Sequence, residues 1–181
     1  EERQPEVLPA EQAPRSPRVA EVDEFKKTEA PWCACVSFSE PNESLVVSRE
    51  TFEKYDAAAM PLPENLNDDL SGRPNLYQRQ RKISAGVTDD EWRMARTCYF
   101  GRVTELDAEF ARLMAHLEST GALSDTLVIV TADHGRYVGA HGWDAHNFGP
   151  FEEIYRIPLI VSGPGIAMAA ETNAYVSLID L

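Results

Sequence analysis

Apolar positions along the chain gather into three short, nearly continuous runs and one long periodic pattern. The runs are Trp32-Cys33-Ala34-Cys35-Val36-Ser37-Phe38, Leu127-Val128-Ile129-Val130 and Ile157-Pro158-Leu159-Ile160-Val161. Each has the length and unbroken hydrophobicity of a strand buried on both faces. Pro158 falls near the start of its run, where a missing donor is tolerated, and Gly163-Pro164-Gly165 supplies a closing turn. Between the first two runs, Val103, Leu106, Phe110, Leu113 and Leu117 recur at spacings of three and four. That period predicts one apolar stripe on a helix from about Asp89 to Thr120. Thr88 and Glu91 fit the N-cap and third position of a capping box, and Gly121 supplies a stop. Strand, long helix, strand predicts an α/β arrangement, with the three runs as neighbouring strands and the helix packed on one face.

The polar stretches divide the chain. Residues 1–30 are poor in aliphatic side chains and interrupted by Pro5, Pro9, Pro14 and Pro17, which predicts an exposed or disordered lead-in. Residues 39–87 are again mostly polar, with only Arg49 to Tyr55 patterned as a short helix. A loop region of that length in a compact domain usually surrounds a site or packs as irregular structure.

Composition narrows the picture. The chain has 181 residues, the size of one domain or a piece of one, and 43% of them are hydrophobic, enough to build a core. No run is long and apolar enough to span a membrane, and no signal peptide is visible after Glu1, a silence that means little if the chain is cut at its start. The compartment stays open, with periplasmic and secreted both among the options. A formal net charge of -13 argues against a nucleic-acid surface. It leaves room for an anionic substrate, since a local metal or cationic pocket can override the global field. Cys33, Cys35 and Cys98 are too few, and odd in number, for a disulfide framework. On a strand, Cys33 and Cys35 share one face with Cα atoms roughly 6.5 Å apart, at the outer limit for a bridge. They are expected to be small buried hydrophobes.

Chemistry is concentrated in Thr131-Ala132-Asp133-His134-Gly135, directly after the second run. In open α/β sheets, ligands bind outside the carboxyl ends of strands. Asp133 offers a hard oxygen and His134 a ring nitrogen, and Gly135 lets the backbone turn away without a side chain in the pocket. Two such groups can hold one edge of a metal ion but cannot complete its shell of about four to eight ligands. On spacing alone, a turn with a surface histidine accounts for the motif as well.

Longer blocks carry a resemblance. Asp125-Thr126-Leu127-Val128-Ile129-Val130-Thr131-Ala132-Asp133-His134-Gly135 resembles the sulfatase pattern "nTlviftSDHG". Phe151-Glu152-Glu153-Ile154-Tyr155-Arg156-Ile157-Pro158-Leu159-Ile160-Val161 resembles "yEE..RvPLiv". Val36-Ser37-Phe38-Ser39-Glu40-Pro41 is similar to "vsF..PH.P", and Val176-Ser177-Leu178-Ile179-Asp180-Leu181 to the "vs.iDl" that leads into "aPTll". The blocks keep the family's order and spacing over residues 31–181. The resemblance is to the sulfatase family of the alkaline-phosphatase-like superfamily. It implies a partial alkaline-phosphatase/sulfatase-like sheet with flanking helices, truncated at both ends.

The family's function is hydrolysis of sulfate esters on a sulfated small molecule or carbohydrate. Its divalent metal, usually Ca²⁺, is held by two early aspartates and by the Asp-Asn or Asp-His pair that Asp133 and His134 match. Its nucleophile is a Cys or Ser within "C/S-x-P-S/A-R", converted to formylglycine. No such motif and no early aspartate pair occurs here, so both are expected upstream of Glu1, and the 181 residues alone are expected to be inactive. A degenerate, non-catalytic metal-binding paralogue is the other account. So is a phosphodiesterase or phosphonate monoester hydrolase of the same superfamily.

Two positions depart from the pattern. Asn42 stands where "PH.P" has its histidine. The lysine that often precedes "yEE" is missing, and His146 or Asn147 occupies its neighbourhood. His146 is the candidate catalytic residue, a hydrogen-bond donor and leaving-group acid in the lysine's place, with a structural histidine as the alternative. Asn147 and His141 are candidate substrate contacts, and for His141 loop packing is as good an account. Arg136 could meet an anion or a salt-bridge partner. Glu152 and Glu153 look structural. Trp92, Trp143 and Phe148 could line a sugar site, though core packing is the default. Asn42-Glu43-Ser44 is a sequon, meaningful only in a eukaryotic secretory protein.

Overall fold

The structure, a computed structural model, describes residues 6–8, 30–42, 45–144, 146 and 148–181. Most of the 1–30 stretch, Glu43 and Ser44 of the sequon, and the candidate Asn147 lie outside the described residues. In chain order the strands are β1 (Glu6–Leu8), β2 (Val46–Ser48), β3 (Val128–Thr131) and β4 (Leu159–Ser162). The helices are α1 (Arg49–Phe52), α2 (Asn75–Arg81), α3 (Asp89–Ser119) and α4 (Glu152–Tyr155), with single 3₁₀ turns between them. This is a partial α/β fold. No helix of the described residues is long and apolar enough to cross a membrane.

The long helix α3 begins where its capping box places it. The Glu91 amide donates to the Thr88 hydroxyl at 3.3 Å, and the Thr88 amide donates to the Glu91 carboxylate at 2.7 Å. Asp89, Asp90 and Glu91 put negative charge at the positive end of the helix dipole. Gly121, at φ +71°, takes the left-handed conformation that lets the chain turn off the helix.

Its buried face differs from the expected stripe. Val103 is exposed, and Leu106, Phe110 and Leu113 are half-buried; of the five stripe residues Leu117 is buried. Trp92, Ala95, Cys98, Gly101 and Arg102 form the covered face instead. Close approach is the reason: a Cβ on Gly101 would stand 2.8 Å from Val47 Cγ2, so β2 seats on the helix where the side chain is smallest. Arg102 is buried there between Glu40, at 3.0 Å, and Glu105, at 2.6 Å. Glu105 also accepts the Ser48 amide at 3.0 Å. Burial pushes the Glu105 carboxyl upward, but the bonds from Ser48 and Arg102 outweigh it and hold the group below its ordinary range.

The strands correct the expectation of one three-stranded sheet. β1 and β2 pair in parallel, with Glu6 opposite Val46. β3 and β4 pair antiparallel, with Val128 opposite Ser162 and Thr131 opposite Leu159. Trp32–Phe38 is not a strand: its exposure alternates residue by residue, as an extended segment's does, but no ladder forms on it among the described residues. Cys33 and Cys35 share one face as expected, yet both are exposed rather than buried. The second and third runs are also more open than a doubly covered strand: Ile129, Leu159 and Ile160 are exposed, while Val128, Val130 and Val161 are half-buried. Cys98 is buried, and burial raises its thiol pKa to about 11, which makes it inert.

Two clusters make the core. Leu66, Trp92 and Ala95 close against Leu45, Leu62 and Val87. Leu70, Tyr137, Ala140, Trp143 and Ile154 close against Tyr77, Phe148 and Phe151. The described part of the polar 39–87 stretch carries β2, α1 and α2, the last not expected from the sequence, and otherwise packs as irregular structure against α3 and the loop after β3. Its turns are satisfied locally, as where Asp56 accepts the amides of Ala58 and Ala59 at 3.0 and 3.3 Å. Trp92 and Trp143 are buried in this core and Phe148 packs against it, the default expected of them.

Candidate active site

The loop after β3 carries the candidate residues Asp133 and His134. The His134 amide donates to Asp133 Oδ1 at 2.8 Å, which turns that carboxylate back over its own loop. His134 Nδ1 lies 2.9 Å from the Gly135 carbonyl oxygen. A carbonyl only accepts, so Nδ1 carries the hydrogen and Nε2 of the neutral ring keeps its lone pair. Nε2 stands 3.7 Å from Asp133 Oδ2. Metal–ligand bonds of about 2.0–2.6 Å put neighbouring ligands roughly 3–3.7 Å apart, so the two atoms fit one edge of a coordination shell. The Asp133 side chain is 85% exposed and ready to meet a cation from solvent. Among the described residues no group of three or more His, Cys, Asp or Glu side chains converges on a metal position, so these two groups alone would not complete a coordination shell.

His146 joins this pair. Its ring stacks on His134 with centroids 4.4 Å apart and planes within 7°. Asp133, His134 and His146 line a cleft of about 520 Å³ whose other wall is apolar, with Ile154, Ile157, Val176 and Leu178. His146 arrives from a loop more than ten residues downstream of the pair, and only the fold brings the two imidazoles face to face.

Gly135 has a use beyond freeing the pocket. A Cβ on it would come within 1.9 Å of the Glu153 carbonyl oxygen, and its amide donates to the Ile154 carbonyl at 2.9 Å. Gly135 is the point where the strand-end loop rests on α4.

The other candidates lie elsewhere. His141 is buried, is not among the residues lining the cleft, and has both ring nitrogens engaged by protein: Nδ1 with Asp68 at 2.7 Å, Nε2 with Asn65 at 3.2 Å. Its ring stacks on Phe151 at 4.0 Å. The structure therefore gives His141 packing contacts and no path to a substrate in this cleft. Arg136 is engaged by Asp144 at 2.8 Å and is mostly covered. Glu153 accepts from Asn65 at 2.8 Å, the structural use expected of it. Tyr137 donates to the Phe148 carbonyl, and burial, then the Glu153 charge, keeps its phenol well above the usual range. Asn65 and Asp68 were not anticipated. The Asn/Asp-rich run Glu64-Asn65-Leu66-Asn67-Asp68-Asp69 was the available signal, but it is also ordinary turn composition.

Known proteins resemble most of this chain. A sequence model of the sulfatase family matches residues 19–181. Choline-sulfatase of Rhizobium meliloti (strain 1021) is 35% identical over 146 residues, which are 76% of this chain and 27% of that protein. The multifunctional alkaline phosphatase superfamily protein PehA of Trinickia caryophylli is 29% identical over 153 residues, 75% of this chain and 29% of its own length. Among solved structures, the phosphonate monoester hydrolase SpPMH of Silicibacter pomeroyi superposes with a TM-score of 0.69 at 28% identity, over 88% of this chain and 37% of that one. The fold is of the alkaline-phosphatase-like class. The chain belongs to the sulfatase family, and it spans roughly a third or less of the length of these relatives.

Proposed function

We propose that the protein hydrolyses a sulfate ester of a small molecule or carbohydrate, with Asp133 and His134 holding a divalent cation and His146 acting on the leaving group. The observation that carries this is the cleft geometry: a carboxylate oxygen and an imidazole nitrogen 3.7 Å apart, with a second imidazole stacked on the first. The cation, Ca²⁺ in most of the family, supplies Lewis-acid polarisation of a sulfate oxygen when bound. The rest is done by the chain. The Gly135 carbonyl fixes the His134 tautomer, as outer-shell groups do for metal-binding histidines. Asp133 contributes negative charge that would offset part of a dication's charge. His146 stands beside the pair on the cleft wall, placed to donate a proton to the departing oxygen. The formylglycine nucleophile is assigned to sequence outside these residues, because Cys33, Cys35 and Cys98 lack the Pro and Arg that accompany it in the family.

A second reading has support of its own. SpPMH is a phosphonate monoester hydrolase, and a phosphonate ester presents the same tetrahedral anion to the same pair. Turnover of an aryl sulfate and of an aryl phosphonate monoester by the whole protein, with Ca²⁺ and after chelation, separates the two. Sulfate turnover at least ten times faster and lost on chelation supports the sulfatase reading. Preference for the phosphonate replaces it with the second. Turnover of neither, with Ca²⁺ still bound, leaves a non-catalytic metal-binding paralogue, and the absence of both turnover and Ca²⁺ binding overturns the proposal.

A further inference from the structure

Away from the cleft, one cluster of polar side chains is fully built and takes no part in the chemistry above. His141 holds a left-handed backbone at φ 55°, a conformation that side-chain-bearing residues keep only when their surroundings fix it. Its Nδ1 faces Asp68 Oδ2 at 2.7 Å. Asn65 Nδ2, with two hydrogens, reaches both His141 Nε2 at 3.2 Å and Glu153 Oε1 at 2.8 Å. The His141 amide donates to the Asn65 carbonyl at 3.1 Å. Nδ1 donates to the Asp68 carboxylate, and Nε2 lies 3.2 Å from Asn65 Nδ2 and 3.5 Å from Glu153 Oε1, so every ring nitrogen has a partner inside the cluster. Asp68 is itself tied down by the Leu70 amide at 2.9 Å.

The cluster ends on α4, which needs it. A four-residue helix has no cooperative stability of its own, and among the described residues no side chain caps this one. Its position must come from tertiary contacts: the Glu153 carboxylate in the cluster, buried Ile154, and Phe151 stacked on His141. α4 in turn seats Gly135, through the Glu153 carbonyl and the Ile154 carbonyl. Gly135 is one residue from His134 and two from Asp133.

The geometry points to Asp68, Asn65 and His141 as a positioning brace, which fixes α4 and through Gly135 fixes the Asp133–His134 loop. The brace touches neither substrate nor cation. It sets where the pair stands, to the few tenths of an ångström that a functional site needs. The inference rests on the cleft being where that pair works, but the brace can be read without turnover, so a protein that hydrolyses neither ester still tests it.

The experiment is residue-resolved amide hydrogen exchange on the full chain. His141→Ala is expected to speed exchange at the Gly135 amide by at least about tenfold, while amides in the middle of α3 keep their rates. His141→Asn, which keeps an amide donor for Asp68 and tolerates the left-handed backbone, is expected to restore most of the protection. Asn65→Ser, which removes both amide hydrogens, should repeat the local effect and serves if His141→Ala does not fold. Unchanged exchange at Gly135 in Asn65→Ser overturns the brace. So does acceleration that is equal along α3, or a His141→Asn variant no better protected than His141→Ala.

Discussion

The half of the molecule built on α3 and the half built on β3 and β4 use polar groups in opposite ways. Around α3, polar side chains are buried and matched, with Arg102 held between Glu40 and Glu105. At the ends of β3 and β4, Asp133 points outward and Ile129, Leu159 and Ile160 lie open. A buried charge must find partners in its own fold, whereas an exposed carboxylate keeps its lone pairs for something that arrives from outside. The contrast gives the first half the character of a support and leaves the second half the one open to an outside ligand, in line with the proposed function; the contact of Gly135 with α4 joins the β3 loop to the packed core.

The contrast is broken most severely at Arg102. Arg102→Ala leaves Glu40 and Glu105 facing each other in a covered site and should cost about 3–5 kcal/mol, read as a fall in the denaturation midpoint. A loss below 1 kcal/mol would mean that this half is not held by its buried charges. Asp133→Asn tests the other half. On the proposed function it should lower turnover of the whole protein by about 10²–10³-fold and weaken its Ca²⁺ binding, with the denaturation midpoint almost unchanged because the side chain is exposed. A large stability loss there would make Asp133 a support residue. Gly135→Ala attacks the junction. The new Cβ meets backbone, not a flexible side chain, and should cost about 1–3 kcal/mol and disturb the cleft together with the core. An alanine variant with native stability and native turnover would separate the two halves after all.

The smallest effect concerns pH. The folded pKa of Glu105 lies below its ordinary 4.5. Its contribution to stability is therefore complete above that value and is lost as pH falls through the depressed folded value. Denaturation series between neutral pH and pH 3 should show the acid loss, and Glu105→Gln should remove part of it. An acid limb unchanged in the variant would assign it to other carboxylates.

Local rules decided much of this protein from sequence alone. Thr88, Glu91 and Gly121 mark the bounds of α3 because caps and left-handed turns act within a few residues. The runs before Asp133 and after Arg156 form strands, and Asp133-His134-Gly135 sits at a strand end, because a continuous apolar run and the turn that closes it are also short-range. The long blocks from Thr126 to Val161 carried the family, since many residues in fixed order are hard to match by chance. Tertiary structure decided the rest. Helical period alone favoured Val103 and Leu106, but the covered face runs through Cys98 and Gly101, because β2 chooses where to approach. Trp32–Phe38 reads as a strand, yet a strand exists only with a neighbour to bond, and hydrophobicity does not supply one. His141 and His146 look alike in sequence, five residues apart. One is enclosed by Asp68, Asn65 and Phe151 and the other stacks on His134 in the cleft, a difference set by partners 73 to 76 residues away in the first case and by the β3 loop in the second. Contacts at such separations leave no periodic trace in the chain, so only the folded packing could assign the two rings.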